Sequence, residues 1–175
     1  MDPELVIGEI PSDASMKGMF LDAVAQRARA DGVALASARE RYLPFQWYPL
    51  REHAQLMVEA ARGVWPDQTL RQGLRRLGRG GTQVLVGSTV GKVTVGAVDG
   101  VHEVLRQMGR SFSLVVRPGS IELEDHGPGY AVMALREVGW FADSHHVGVY
   151  EGLLRYAGVP QPRVRVRARS GGDTD

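Results

Sequence analysis

Three observations predict an α+β fold, with a helical N-terminal half packed on a small antiparallel sheet and a C-terminal helix returning over it. Helical periodicity dominates from residue 15 to Met108, alternation takes over after Gly109, and one more helical stripe begins near Asp143. Helices and strands segregated along a chain argue for this class rather than for an alternating α/β fold. At 175 residues the chain is long enough for one core. Residues 1–169 are read as a single domain and residues 170–175, Ser-Gly-Gly-Asp-Thr-Asp, as a disordered polar tail.

Leu5 to Ile7 reads as a short strand closed by Gly8 and Pro11. Asp13 or Ser15 can cap a first helix. Met16, Met19, Phe20, Ala23 and Val24 then share a face, so residues 15–31 form an amphipathic helix, with Gly32 as the residue that ends it. Ala34 to Glu40 has room for a helical turn or two. Pro44 and Pro49 push Leu43 and Tyr48 toward extended or turn conformations, and Pro49 suits the first turn of a helix. Leu50, His53, Ala54, Met57, Val58, Ala61, Val64 and Trp65 mark a strong helical face that Pro66 stops.

Leu70, Leu74 and Leu77 make the stripe of a third helix, with Arg71, Arg75, Arg76 and Arg79 on its other side and Gly78, Gly80 and Gly81 breaking it. Gln83 to Gly87 and Lys92 to Gly96 suit strands by propensity, and short core helices fit equally well, because short apolar runs are ambiguous. After Gly100, Val101, Val104, Leu105 and Met108 share a helical face. Phe112 to Val116 is β-like, and Pro118-Gly119 is a turn. Ile121 and Leu123 alternate with Glu122 and Glu124. Tyr130 to Val138 is apolar on most of both faces, as in a strand covered on both sides. Asp143 or Ser144 caps the last helix, which runs through Tyr150 to Ala157, and Arg163 to Arg169 alternates like a final edge strand.

Composition narrows the chemistry. Net charge is +1 and there is no Cys, so disulfides, thiolate metal sites and cysteine nucleophiles are excluded. No apolar run approaches the roughly 20 residues of a membrane span, and Met1 to Leu5 lacks a basic, apolar leader pattern, so a cytoplasmic protein is expected. Glycine-rich phosphate loops, His-Glu-x-x-His and Gly-x-Ser-x-Gly are not found. Of the histidines at 53, 102, 126, 145 and 146, only the last two are close in sequence, and neighbours on a helix point in different directions. Glu122, Glu124 and Asp125 read as a solvated face. No metal ligand, cofactor or catalytic residue is assigned, and the protein is not expected to be an enzyme.

Two patterns remain. Arg71, Arg75, Arg76 and Arg79 could form a basic surface, with the alternating Arg of residues 163–169 as a second one; basic stripes are how nucleic acid is first engaged. No aromatic residues interleave with either, which argues against base stacking, and a charged edge strand also blocks aggregation. The aromatic stretch Tyr42, Phe45, Trp47 and Tyr48 either plugs the seam between helices and sheet or walls an apolar pocket or dimer contact, where Trp and Tyr are enriched.

Tyr42-Leu-Pro-Phe-Gln-Trp-Tyr-Pro-Leu50, Val64-Trp-Pro-Asp67, Leu74-Arg-Arg-Leu-Gly78, Ser88-Thr-Val-Gly91 and Gly148-Val-Tyr-Glu-Gly-Leu-Leu-Arg-Tyr-Ala-Gly158, in this order, resemble a large paralogous family of uncharacterised proteins found mainly in myxobacteria. More remotely, the C-terminal half is similar to the superfamily of haem nitric-oxide-binding domains, vinyl-reductase-type small-molecule-binding domains and TRAPP core subunits. That resemblance implies a small molecule, haem or acyl chain held between helices and sheet, or assembly as a dimer. Its haem members need a proximal His, for which His102 stands on a suitable helix, and a Tyr-x-Ser-x-Arg run. The matching run here is Val132-Met-Ala-Leu-Arg136, in which only Arg136 survives, so no haem is expected.

The expected function is a non-catalytic regulatory or sensory module that binds a small apolar ligand or a protein partner, as a homodimer. Tyr42, Phe45, Trp47, Trp65, Phe112 and Tyr150 are the candidate ligand-binding residues. The alternatives are a ligand-free interaction scaffold of the tethering-complex type and a nucleic-acid-binding protein using its Arg-rich faces.

Overall fold

The computed structural model describes residues 2–87, 92 and 98–167. Among these it has six α-helices and two small antiparallel sheets, an α+β architecture. Helix α1 (Pro3–Glu9) comes first, where a strand was expected at Leu5 to Ile7. The Asp2 carboxylate accepts a hydrogen bond from the Glu4 N–H (2.9 Å), and Pro3 occupies the first turn. That cap and proline set the helix, and they outweigh a three-residue apolar run that carries no period of its own.

The helix expected over residues 15–31 divides. Ser15–Lys17 is strand β1, and α2 (Gly18–Ala30) starts after it. β1 is the central strand of a three-stranded sheet, between β2 (Trp47–Pro49) and β3 (Val116–Arg117), with Met16 opposite both Tyr48 and Val116. The first N–H groups of α2 find carbonyls on the returning chain: Gly18 N–H donates to Gln46 and Met19 N–H to Pro44. This substitutes for a side-chain cap. Gly32 ends α2 as expected, in the left-handed conformation, with the Val33 N–H reaching back to the Ala28 carbonyl.

Residues 34–40 form no helix. They are tethered instead by Ser37, whose N–H and hydroxyl both donate to the Glu59 carboxylate. Helix α3 (Leu50–Val64) is the centre of the core, with Leu50, Ala54, Leu56, Met57 and Ala60 almost wholly enclosed.

Helix α4 runs from Leu70 to Gly87, through the glycines expected to break it and through the residues that suited a strand. The reason lies across the interface with α6 (Val147–Tyr156). A Cβ on Gly78 would sit 2.1 Å from the His145 carbonyl oxygen, and one on Gly148 would sit 2.0 Å from that of Arg75. Here glycine lets two helix backbones touch, and the packing offsets the roughly 1 kcal/mol that glycine costs inside a helix. Of the second strand-or-helix stretch, Lys92 to Gly96, only Lys92 lies within the described residues.

Helix α5 (Val101–Phe112) continues past Gly109, where the period was expected to change, and lies across β4 (Ser120–Gly127). β4 pairs with β5 (Tyr130–Arg136) as a hairpin, from Ser120 opposite Arg136 to Gly127 opposite Tyr130. A register shift between Leu123 and Asp125 leaves Glu124 as an extra residue. β5 is not covered on both sides as expected: Ala131 to Leu135 stay half-buried along an open groove. Residues 163–167 form no edge strand; Ala168 and Arg169, and the expected disordered tail at 170–175, lie outside the described residues. No helix among the described residues is long and apolar enough to cross a membrane.

Candidate functional site

Between β5 and α6 the chain makes an unusual approach. Glu137 and Phe141 both have positive φ (56° and 50°), and Phe141 is 1% exposed. A buried bulky residue in the left-handed region costs on the order of 1–3 kcal/mol and persists where its surroundings hold it. Ala142–His146 then form a π-helical turn that leads into α6. The Phe141 carbonyl closes the turn, accepting from Ser144 N–H, the Ser144 hydroxyl and His146 N–H. Such turns recur at functional sites because the wider coil re-aims side chains.

The turn brings His145 and His146 against His53, which lies on the buried face of α3. The His53 and His145 rings are 6.2 Å apart, those of His145 and His146 5.4 Å, and Trp140 meets His146 edge-on at 5.1 Å. Burial pushes the His53 imidazole down to about 3, with repulsion from His145 adding to it. Burial alone takes His145 down to about 4. His146 is held well below its ordinary value by burial first and then by His145 and His53. All three are therefore neutral at pH 7. His145 keeps partial solvent-accessible surface although protein encloses it. It borders a cavity that opens to solvent at one side.

The cavity has a volume of about 300 Å³. Met16, Phe20 and Val24 line one side, Leu77 and Leu85 another, and Met108, Phe112 and Ile121 a third. His53 Nδ1, His145 Nδ1, His146 Nε2, Trp140 Nε1 and Ser111 Oγ are buried without a hydrogen-bond partner among the described residues. All five residues line this cavity. A buried polar atom with no partner costs about 1–3 kcal/mol, so five around one space form a costly arrangement unless something in that space bonds to them. Among the described residues no group of three His, Cys, Asp or Glu side chains is placed to hold a metal ion.

The six residues expected to bind ligand are divided by the fold. Trp65 and Phe112 line the cavity. Tyr150 borders a second, open groove of about 2360 Å³ between the β4–β5 hairpin, α1, α5 and α6, which shares Trp140 and His146 with the cavity. Its buried hydroxyl has no partner among the described residues, and burial pushes it well above its ordinary pKa. Tyr42 is in the core, edge-on to Tyr48 at 5.1 Å, donating its hydroxyl proton to Glu52 (2.9 Å) and accepting from the Arg39 N–H. Phe45 is 65% exposed. Trp47 lies between two cations, Lys17 at 4.0 Å and Arg117 at 4.2 Å from its ring. The aromatic stretch thus packs at one end of the three-stranded sheet, and Tyr42, Phe45 and Trp47 border neither space.

The arginines of α4 do not form one open basic face. Arg75 and Arg79 both bind the buried Glu151 carboxylate, Arg79 Nε at 2.7 Å. Burial works to raise the Glu151 pKa, but hydrogen bonds from Arg75 and Arg79 hold it below the ordinary value. Arg71 pairs with Asp143 at 3.3 Å. Only Arg76 faces elsewhere, over the ring of Trp65 at 5.7 Å. His102 lies on α5 with its Nε2 3.3 Å from the Tyr130 carbonyl and its ring 4.5 Å from His126. Arg136 approaches Glu122 at 3.9 Å.

A family model described as "Protein of unknown function (DUF2378)" matches residues 10–175. No curated protein and no solved structure matches the chain.

Proposed function

The chain belongs to the DUF2378 family of proteins of unknown function, and we propose that it acts as a regulatory or sensory module that binds a small, largely apolar ligand in the histidine-lined cavity. The observation that carries this reading is that His53, His145, His146, Trp140 and Ser111, each with a buried polar atom unpartnered among the described residues, all line one largely apolar cavity. The volume of about 300 Å³ is at the small end of the range for ligand pockets. Neutral imidazoles, an indole N–H and a hydroxyl favour an uncharged hydrogen-bonding group at the buried end of the ligand, with Phe20, Leu85, Met108 and Phe112 around its apolar body. Binding rather than catalysis is the role assigned, because the site presents hydrogen-bonding atoms but no activated nucleophile or matched acid and base. The remote likeness to small-molecule-binding domains supports the same reading.

A second reading, self-association as a homodimer, is supported by β5, whose half-buried Ala131, Met133 and Leu135 line the open groove. Sedimentation velocity on the full chain and on Met133→Glu tests it: a dimer abolished by the substitution supports it, and a monomer at all concentrations excludes it.

Indole, neutral and with a single N–H, is a suitable first probe of the cavity. The chain has three Trp, so ¹H–¹⁵N spectra give three indole N–H signals. Titration is expected to move those of Trp140 and Trp65, which line the cavity, and to leave that of Trp47 in place. Unmoved Trp140 and Trp65 signals would contradict the proposal.

A further inference from the structure

The cavity has a charged rim as well as a neutral interior. Arg27 and Arg76 both belong to its lining, and among the described residues no Asp or Glu does. Both side chains are exposed, and both guanidinium groups lie over the same indole, Arg27 at 5.4 Å and Arg76 at 5.7 Å from the Trp65 ring. Trp65 thus meets two cations where the cavity meets solvent. A guanidinium stacked on an aromatic face keeps its N–H edge free for a planar anion.

The partners of these two arginines differ from those of their neighbours. On α4, Arg71, Arg75 and Arg79 each engage a carboxylate, while Arg76 has none among the described residues. Arg27 pairs with Asp31 at 2.6 Å, but both side chains are substantially exposed. Such a surface pair contributes little and is easily exchanged for another anion. Deeper in the cavity the facing titratable groups are His53 from α3 and His145 and His146 from the π turn, none of them next to a carboxylate in the lining. A charge placed there would lose its water without gaining a partner, whereas at the rim it stays hydrated and meets two arginines.

We infer that the ligand is an amphiphilic monoanion: a carboxylate held at the rim by Arg27 and Arg76, an apolar body in the cavity, and a neutral hydrogen-bonding group at the buried end. This rests on the cavity reading above and adds the sign and place of the charge.

Two probes separate the claims, 8-hydroxyoctanoate and octane-1,8-diol, which differ only in the group presented to the rim. Affinities are measured for the full chain at pH 7.5 by calorimetry, with the Trp140 indole signal reporting occupancy. The hydroxy acid is expected to bind about tenfold more tightly, as for a charge-assisted contact. That advantage is expected to shrink with added salt and to fall severalfold in Arg76→Met, which keeps an apolar stem near Trp65. If the diol binds as tightly as the acid, or if Arg76→Met leaves the preference unchanged, the inference about charge is overturned while the cavity reading stands. If neither probe moves the Trp140 signal, both are overturned.

Discussion

Acidification to pH 5.5 is expected to cost this fold much of its stability, and the buried histidines set the size of the effect. The imidazoles of His53, His145 and His146 are held below their ordinary value of 6.5 in the folded chain, to about 3 and about 4 for the first two. In the unfolded chain each titrates near 6.5. Above pH 7 both states carry neutral rings and stability is flat. Below 6.5 the unfolded state takes up protons that the folded state refuses, so stability falls with falling pH until the folded values are reached. Each group contributes about 1.4 kcal/mol per pH unit. At pH 5.5, one unit below the unfolded value, the three together cost about 4 kcal/mol, against a typical total of about 5–15 kcal/mol. The carboxylates with lowered values, Glu52 and Glu151, lose their contribution only nearer pH 4, so the window from 6.5 to 5 isolates the histidines. Urea unfolding monitored by circular dichroism at pH 7.5, 6.5, 6.0 and 5.5 reads the effect directly. His53→Leu is expected to remove about one third of the slope. A loss of less than about 1 kcal/mol between pH 7.5 and 5.5, or a slope unchanged in His53→Leu, would refute the claim that these rings are buried and neutral.

Gly148→Ala places a methyl group against the Arg75 carbonyl at the crossing of α4 and α6. Because every atom it would meet is Arg75 backbone, it is expected to destabilise by about 3 kcal/mol or more, beyond the usual range for overpacking, whereas Gly80→Ala, with open space around it, is expected to be neutral or mildly stabilising; thermal unfolding compares them. His53→Leu at pH 7.5 removes an unpartnered polar atom from an apolar wall, so it is expected to raise ligand-free stability by about 1 kcal/mol while weakening binding of the indole probe severalfold. The pair of measurements separates a binding residue from a structural one, for which both quantities would fall.

The sequence made the class of fold legible because its long stripes are strong. Leu50 to Trp65 keeps its period over four turns, and Ile121 and Leu123 alternate with Glu122 and Glu124 before the turn at Gly127 to Gly129. The misreadings fall where a local rule met a tertiary requirement. Gly78 reads as a breaker until the His145 carbonyl is seen against it. Ser15 to Lys17 reads as the start of a helix until Tyr48 and Val116 are found on either side. Leu5 to Ile7 is too short for periodicity, and the Asp2-Pro3 cap decides it. For the candidate site, Trp65 and Phe112 were legible as aromatic residues at element ends, but the histidines were not. His53 is visible as a polar residue within the apolar stripe Leu50, Ala54, Met57, and His145-His146 as a pair. Nothing local says that two segments almost a hundred residues apart in the chain meet, because that depends on the left-handed Phe141 and the π turn after it. Tyr42, Phe45 and Trp47 carry the most conspicuous aromatic signal, yet Tyr42 packs in the core, Trp47 meets two cations and Phe45 stays exposed, since aromatic density reports burial and stacking as readily as recognition.

The most direct test of the central claim is native mass spectrometry of the protein purified from its own organism, without refolding. The expected result is the chain plus one small organic molecule, released on acid unfolding and recovered as an anionic amphiphile. The bare chain mass, together with an experimental structure in which ordered water alone bonds to His53, His145 and Trp140, would contradict it.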